Sequence, residues 1–131
     1  MDSKMEKTAS EILFESARYL ENEGKWGKNA FFRLAPPEES SGACAMCAHG
    51  AIAFCGNSAI KEVLGNRDVK KAAIMVGQRS VKSQLQIAHN CAFDVGLDYY
   101  FNDNQAKTKE DVINKLREAA ALALKRETSL Q

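Results

Sequence analysis

Three cysteines and a histidine lie within twelve residues of the chain, in the stretch CAMCAHGAIAFC that runs from Cys44 to Cys55. Thiolates and imidazoles are the side chains that bind zinc, attach haem or exchange disulfides. This stretch is therefore the first place in the sequence to look for chemistry. The spacing of the residues decides among these uses.

Two of these uses fit the spacing poorly. Haem attachment needs C-x-x-C-H, whereas His49 stands two places after Cys47. Redox use of C-x-x-C belongs at the start of a helix that follows a strand, and a proline-bearing loop precedes Cys44. A zinc site that draws on Cys44, Cys47 and either His89 or Cys91 stays open as an alternative.

The favoured interpretation of these cysteines is packing, because a free thiol behaves as a small apolar group. Cys47, Ala51 and Cys55 recur at four-residue steps, and Ala48 and Gly50 keep the segment thin. The stretch is then a central helix with close neighbours on all sides. We expect no metal, no cofactor and no catalytic residue here.

Length and composition limit the class of protein. The chain has 131 residues, of which 45% are hydrophobic and 27% charged, and its net charge is +1. Such a chain forms one globular domain, residues 1–131, without help from metal or disulfides. This small net charge argues against strong electrostatic binding to duplex nucleic acid. With no apolar signal core and no long apolar run, we expect a cytoplasmic protein without membrane contact.

The apolar periodicity predicts a mainly α fold with one minor β-hairpin. The hairpin or short strand is expected after Trp26, before the loop that holds Pro36 and Pro37. The Asn- and Asp-containing stretch from Leu97 to Thr108 is expected to be a loop. The predicted helices span Lys4–Glu23, Ala43–Cys55, Ser58–Gly65, Ser80–Val95 and a last segment that Thr108 caps with Asp111.

Groups suited to a nucleotide cluster near the last helix. Aromatic rings stack on bases, Asn and Asp bond ribose hydroxyls, and cations hold phosphates. Arg117 and Lys125 share one face of the last helix, where a phosphate could lie. Tyr99 is a further aromatic plane. The candidate ligand-binding residues are Phe93, Tyr100, Phe101, Asn102, Asp103, Arg117 and Lys125.

Other interpretations of the same residues stay open. Consecutive aromatic residues are common in cores, and Asn-Asp pairs are common turn formers. A nucleotide hydrolase would need a metal centre or tuned acids and bases, and His49 and His89 both fall on apolar helices. A small zinc-binding or protein-interaction domain that acts as an adaptor is a further alternative.

Several motifs together resemble a known family. They are Lys25-Trp26-Gly27, the segment from Cys47 to Ile52, and Tyr100-Phe101-Asn102-Asp103 with the helix after Thr108. This combination resembles a family of short bacterial and phage proteins of long-unassigned function, which carry a Cys-Ala-x-Gly-Ala helix and an aromatic-Asn-Asp turn. The sequence departs from that pattern at Phe101, where the family favours Trp, and in its short hairpin after Trp26.

The chain is also similar, more weakly, to phage proteins that counter the Thoeris defence. Those proteins sequester cyclic ADP-ribose isomers, and some members cyclic oligonucleotides, without cleaving them. The similarity implies an anti-defence sponge that acts in the cytoplasm, of the host if a phage encodes it. It also implies a homo-oligomer, a dimer or a larger assembly such as a hexamer, with ligand held between subunits.

Overall fold

The two longest helices among the described residues lie side by side. In the computed structural model, which describes residues 7–22, 25–34, 44–77 and 83–129, helix α1 spans Ala9–Asn22 and helix α6 spans Lys109–Ser129. The Arg117 guanidinium bonds Glu21 at 2.8 Å, and Ser10 Oγ donates to Glu127 at 2.7 Å. Because Glu21 near the end of α1 contacts Arg117, and Ser10 near its start contacts the later residue Glu127, the two helices run antiparallel.

Shorter strands and helices lie between α1 and α6 in the sequence. Strands β1, β2 and β3 are followed by helices α2 to α5 and by one π-helical turn before α6. The mainly α fold with a minor β component is confirmed. The elements are β1 Lys25–Trp26, β2 Phe32–Leu34, β3 Cys44–Met46, α2 Ala48–Gly56, α3 Ser58–Gly65, α4 Val69–Gly77, α5 Gln84–Asp94 and the π turn Phe101–Gln105.

The three strands form one small sheet in the order β1-β3-β2. Strand β3 runs parallel to β1, with Trp26 opposite Met46, and antiparallel to β2, with Phe32 also opposite Met46. The prediction of a helix from Ala43 was therefore wrong over Cys44–Met46. Both neighbours of β3 come from earlier in the chain, so strand pairing overrides the local helical pattern.

Helix α2 is the buried centre of the fold. Its residues from Ala48 to Ala53 are all buried, as is Cys55, so the predicted central helix is confirmed once its start is moved to Ala48. A methyl group on Gly50 would lie 2.3 Å from the carbonyl oxygen of Phe31. Glycine at this position therefore lets the loop before β2 approach the helix backbone.

Helices α3, α5 and α6 lie close to their predicted positions, although α5 begins at Gln84. Helix α4 was not predicted, and the π turn lies in the stretch that was predicted to be a loop. Asn57 caps α3, which ends at Gly65 as expected, and Ser83 caps α5. Thr108 and Asp111 form the predicted capping box of α6, since Asp111 N–H donates to Thr108 Oγ1 and Thr108 N–H to Asp111 Oδ2. Met5, Pro36 and Pro37 fall outside the described residues.

One hydrophobic core connects the helices to the sheet. The apolar face of α6, which includes Val112, Leu116 and Ala120, is buried in it. Leu13 and Leu20 of α1 and Ile52 of α2 pack into the same core. Among the described residues, no helix is both long and apolar enough to cross a membrane.

Candidate ligand-binding site

The side chain of Asn102 joins three separate segments of the chain. Its Oδ1 accepts hydrogen bonds from Trp26 Nε1 at 2.8 Å and from the N–H of Ala48 at 3.0 Å. Its Nδ2 donates to the carbonyl of Gly27 at 3.1 Å and to Asp103 Oδ1 at 2.9 Å. All the hydrogen-bonding groups of this buried amide are thus used within the chain.

The π turn presents Asn102 and its neighbour on the inner side. It is closed by the bond from Ala106 N–H to the carbonyl of Phe101, 2.8 Å, and its entry is fixed by Asp98 Oδ1, which accepts from Phe101 N–H at 2.7 Å. Asp103 Oδ1 also accepts from the N–H of Asn29 at 2.8 Å. The carboxylate therefore lies against the loop between β1 and β2.

Asn29 gives that loop its shape. Its φ of 69° is in the left-handed region, which asparagine tolerates better than most residues. The turn brings the N–H of Asn29 onto Asp103 and leads the chain toward Phe31, whose carbonyl accepts from Cys47 N–H at 3.2 Å. The loop, the start of α2 and the π turn are thereby held together.

These segments border an open cavity of about 240 Å³, the aromatic cavity. The rings of Phe31 and Tyr99 meet edge to face at 5.7 Å, and Tyr99 also lies 5.2 Å from the imidazole of His49. None of the described residues that line the cavity is Lys or Arg. The lining side chains that matter for binding are Phe31, Cys47, His49, Tyr99, Asn102 and Asp103.

His49 forms a rigid part of the cavity wall. Its ring stacks on Phe93 at 4.3 Å and on His89 at 5.0 Å. Its Nδ1 lies 2.8 Å from His89 Nδ1, and its Nε2 lies 2.7 Å from the carbonyl oxygen of Leu97. Both ring nitrogens are engaged inside the protein, so His49 presents a ring rather than a free base to a ligand.

Cys47 is the second group in the cavity wall with potential chemistry. Its Sγ accepts a hydrogen bond from Gly50 N–H at 3.3 Å and caps α2. Burial raises the pKa of this thiol to about 11, and the negative charge of Asp103 adds to the effect. Cys47 is therefore a thiol at neutral pH, and His49, with both nitrogens engaged, is not placed to activate it.

The described part of the chain holds no group of three or more His, Cys, Asp or Glu side chains arranged to bind a metal ion. Cys47, Cys55 and Cys91 are buried free thiols. The side chain of Cys44 is outside the described set. Packing in the protein interior accounts for the positions of Cys47 and Cys91, the other two thiols of the proposed zinc site.

The residues predicted to bind ligand do not all meet in one place. Asn102 and Asp103 line the aromatic cavity. Phe93 lies behind His49, and the ring of Phe101 lies under Lys115 Nζ at 5.6 Å. Tyr100 is 62% exposed and is outside the cavity lining.

The two predicted cations lie on α6, away from the cavity lining. Arg117 forms an exposed ion pair with Glu21, at 2.8 Å, and lines a shallow depression beside α1. Lys125 is exposed on the same helix. Arg117 is thus partly neutralised, and neither cation lines the aromatic cavity.

Some of the residues that line the cavity were not predicted, because they are far from the π turn in the sequence. Phe31 and Asn29 lie about seventy residues earlier, and His49 belongs to the helix that the spacing assigned to packing. The close approach of Gly50 to the backbone of Phe31 brings the β1–β2 loop to helix α2. In the sequence, this approach is indicated by the glycine within a mostly apolar helix.

Comparison with known proteins gives a family and no named function. No curated protein and no solved structure matches the chain significantly. The model of a family described as a family of unknown function, DUF6197, matches residues 5–122. All the segments that meet at Asn102 lie inside that match. The chain therefore belongs to the DUF6197 family, a family of unknown function.

Proposed function

We propose that the protein is a sponge that binds and sequesters a nucleotide signal, a cyclic ADP-ribose isomer or a cyclic oligonucleotide, without cleaving it. The observation that carries the proposal is the aromatic cavity, which is lined by rings and one carboxylate and whose flanking segments are joined by the hydrogen bonds of Asn102. Binding sites combine apolar and aromatic walls with a few well-placed polar groups in this way.

The size of the cavity selects the part of the ligand that enters. Its volume, about 240 Å³, is smaller than the roughly 300–1,000 Å³ of pockets that enclose a drug-sized ligand. It suits one planar ring system, such as a base. The rings of Phe31, His49 and Tyr99 supply surfaces on which a base stacks.

Asp103 gives the cavity a polar contact. Its Oδ1 is occupied by Asn29 and Asn102, whereas Oδ2 makes no hydrogen bond to the described residues. That oxygen can accept from the exocyclic amine of a base or from a ribose hydroxyl. A phosphate would be repelled by the carboxylate, so the anionic part of the ligand lies outside the aromatic cavity.

A ligand that extends out of its pocket is consistent with the expected homo-oligomer, in which a neighbouring subunit covers the exposed part. Two exposed apolar side chains suit such an assembly. Phe14 on α1 is 42% exposed and Leu124 on α6 is 46% exposed. The Glu21–Arg117 and Ser10–Glu127 contacts place these two residues at the same level of the antiparallel pair.

The states of Cys47 and His49 support retention of an intact ligand, with Asp103 Oδ2 acting as a hydrogen-bond acceptor only. The thiol of Cys47 is protonated at neutral pH, and both nitrogens of His49 are engaged. Nucleophilic or general-base chemistry needs a free lone pair beside the substrate. The resemblance to anti-defence sponge proteins supports the same conclusion and places the proposed action in the cytoplasm.

The test is a thermal-shift panel of cyclic dinucleotides, cyclic trinucleotides and cyclic ADP-ribose isomers, with two adjacent tyrosines as a matched pair. A ligand that binds the folded state raises the melting temperature with its concentration. Tyr99→Ala should remove the shift because it removes a cavity wall. Tyr100→Ala should keep it, because Tyr100 is outside the lining.

The fate of the ligand separates a sponge from an enzyme. Denaturing the complex and analysing the supernatant by mass spectrometry should return the nucleotide unchanged. A hydrolysed product would favour the hydrolase alternative. If no member of the panel shifts the melting temperature, the small-molecule proposal is wrong and the adaptor alternative gains support. Light scattering of the purified protein tests the expected oligomer.

A further inference from the structure

A second groove, the cationic groove, lies where α1 meets α2 and α3. Its volume is about 360 Å³. It shares no lining residue with the aromatic cavity, so what it binds is independent of the function proposed above. The groove is lined by Glu15, Arg18, Tyr19, Phe54, Cys55 and Lys61.

Two aromatic rings form the floor of the cationic groove. The rings of Tyr19 and Phe54 lie 4.9 Å apart at an angle of 39°. Both side chains are partly buried against the core and partly exposed, so each leaves ring surface at the groove. Such surface is a platform on which a flat, unsaturated ring can stack.

Cations dominate the charge at this groove. The carboxylate of Glu15 is bound by Lys7 Nζ at 2.8 Å, and the same ammonium donates to the carbonyl of Cys55 at 3.1 Å. The one acidic side chain of the lining is therefore neutralised by a neighbour. Within the described part of the chain, Arg18 forms no hydrogen bond or ion pair.

Lys61 completes the arrangement. Its Nζ lies over the ring of Phe54, 5.2 Å from the ring centre, where it can turn toward an anion at the edge of the ring. Arg18 approaches the groove from α1 and Lys61 from α3. A guanidinium and an ammonium that line the same groove as two aromatic rings match a compound that carries a phosphate on a ring-bearing scaffold.

We propose that the cationic groove binds a nucleoside monophosphate or a chemically equivalent phosphorylated ring compound. The base stacks against the rings of Tyr19 and Phe54, and Arg18 and Lys61 bind the phosphate. Glu15 stays paired with Lys7, so its negative charge does not repel the phosphate.

The test uses adenosine 5′-monophosphate as the probe, titrated into the isotope-labelled full-length protein and followed by amide NMR shifts. The shifts at Tyr19, Phe54 and Lys61 should persist in Tyr99→Ala, whereas any shift at Asp103, which reports a base in the aromatic cavity, should be lost in that variant. Adenosine and inorganic phosphate should each bind more weakly by at least about tenfold, because each lacks about half of the contacts. Affinity should fall as salt concentration rises.

Matched variants separate this site from other cations and from the aromatic cavity. Arg18→Gln and Lys61→Gln should each weaken binding roughly tenfold, whereas Lys70→Gln, on the exposed face of α4, should leave it unchanged. Tyr99→Ala should also leave it unchanged, so failure of the cavity proposal would not alter this result. The proposal is overturned if Arg18→Gln binds like the wild type, if inorganic phosphate binds as tightly as the nucleotide, or if Tyr99→Ala abolishes the shifts at Tyr19, Phe54 and Lys61.

Discussion

The imidazole rings of His49 and His89 are joined Nδ1 to Nδ1 at 2.8 Å inside the core. The carbonyl of Leu97 can only accept, so His49 Nε2, 2.7 Å away, must carry a proton. In the neutral pair His49 Nδ1 is then the acceptor, and His89 Nδ1–H is the donor. One backbone carbonyl thus fixes the tautomers of two side chains.

The first prediction concerns those tautomers. Long-range proton–nitrogen NMR at neutral pH should show His49 protonated on Nε2 and His89 protonated on Nδ1. His89→Phe should leave His49 Nδ1 without its donor and cost about 2 kcal/mol of unfolding free energy. Finding the same tautomer at both residues would contradict the geometry of the pair.

The sequence predicted best those parts of the fold that depend on local contacts. Thr108 and Asp111 define the start of α6 through bonds between residues three apart, and Gly65 ends α3 where expected. The start of α2 was missed because β3 exists only through pairing with Lys25–Trp26 and Phe32–Leu34. No local pattern records such pairing.

For the candidate site too, the sequence predicted the residues of a local motif and missed the contacts between distant segments. The aromatic-Asn-Asp motif identified Asn102 and Asp103, which do line the cavity. It did not reveal that the amide of Asn102 is used up by internal bonds. It also did not pair the motif with Phe31, because that contact depends on a close approach at Gly50.

The second prediction tests Asn102 as the link between segments. Asn102→Ala should lower the unfolding free energy by about 3 kcal/mol, because Trp26 Nε1 and Ala48 N–H lose their buried acceptor. Asn104→Ala, two residues away and exposed, should change it by less than about 0.5 kcal/mol. Urea unfolding measures both. Equal effects would mean that Asn102 is not the link described here.

The third prediction concerns the approach of Phe31 to α2. Gly50→Ala should destabilise the protein by more than about 2 kcal/mol, since the new methyl group would lie 2.3 Å from a backbone oxygen. Gly65→Ala meets nothing within 4 Å and should be neutral or stabilising by up to about 1 kcal/mol. Thermal unfolding compares them, and a tolerated Gly50→Ala would show that this contact is looser than described.

The fourth prediction follows from the capping box of α6. Hydrogen bonds from the N–H groups of Lys107 and Thr108 lower the pKa of Asp111. A carboxyl whose pKa is lower in the folded state adds stability above its unfolded pKa of about 3.9, and this stability is lost as the pH falls through the folded pKa. Asp111→Asn should therefore lose less stability than the wild type between pH 5 and pH 2. Parallel stability curves for the two proteins would contradict the cap.

The last prediction concerns Cys47, the thiol in the wall of the aromatic cavity. Because burial raises its pKa to about 11, the native protein at pH 7.5 should leave this thiol unmodified by iodoacetamide while the unfolded protein is alkylated. Peptide mapping by mass spectrometry reports each cysteine separately.

The raised pKa also has a thermodynamic consequence, because a thiol whose folded pKa exceeds its unfolded value of about 8.5 stabilises the fold below pH 8.5. This contribution is lost as the pH rises toward 11, so wild-type stability should fall more steeply over that range than that of Cys47→Ala. Rapid alkylation of native Cys47 at neutral pH would instead reveal a thiolate nucleophile beside the ligand cavity. That result would contradict the sponge proposal at its chemical basis, because a reactive thiolate in the cavity is what covalent catalysis requires.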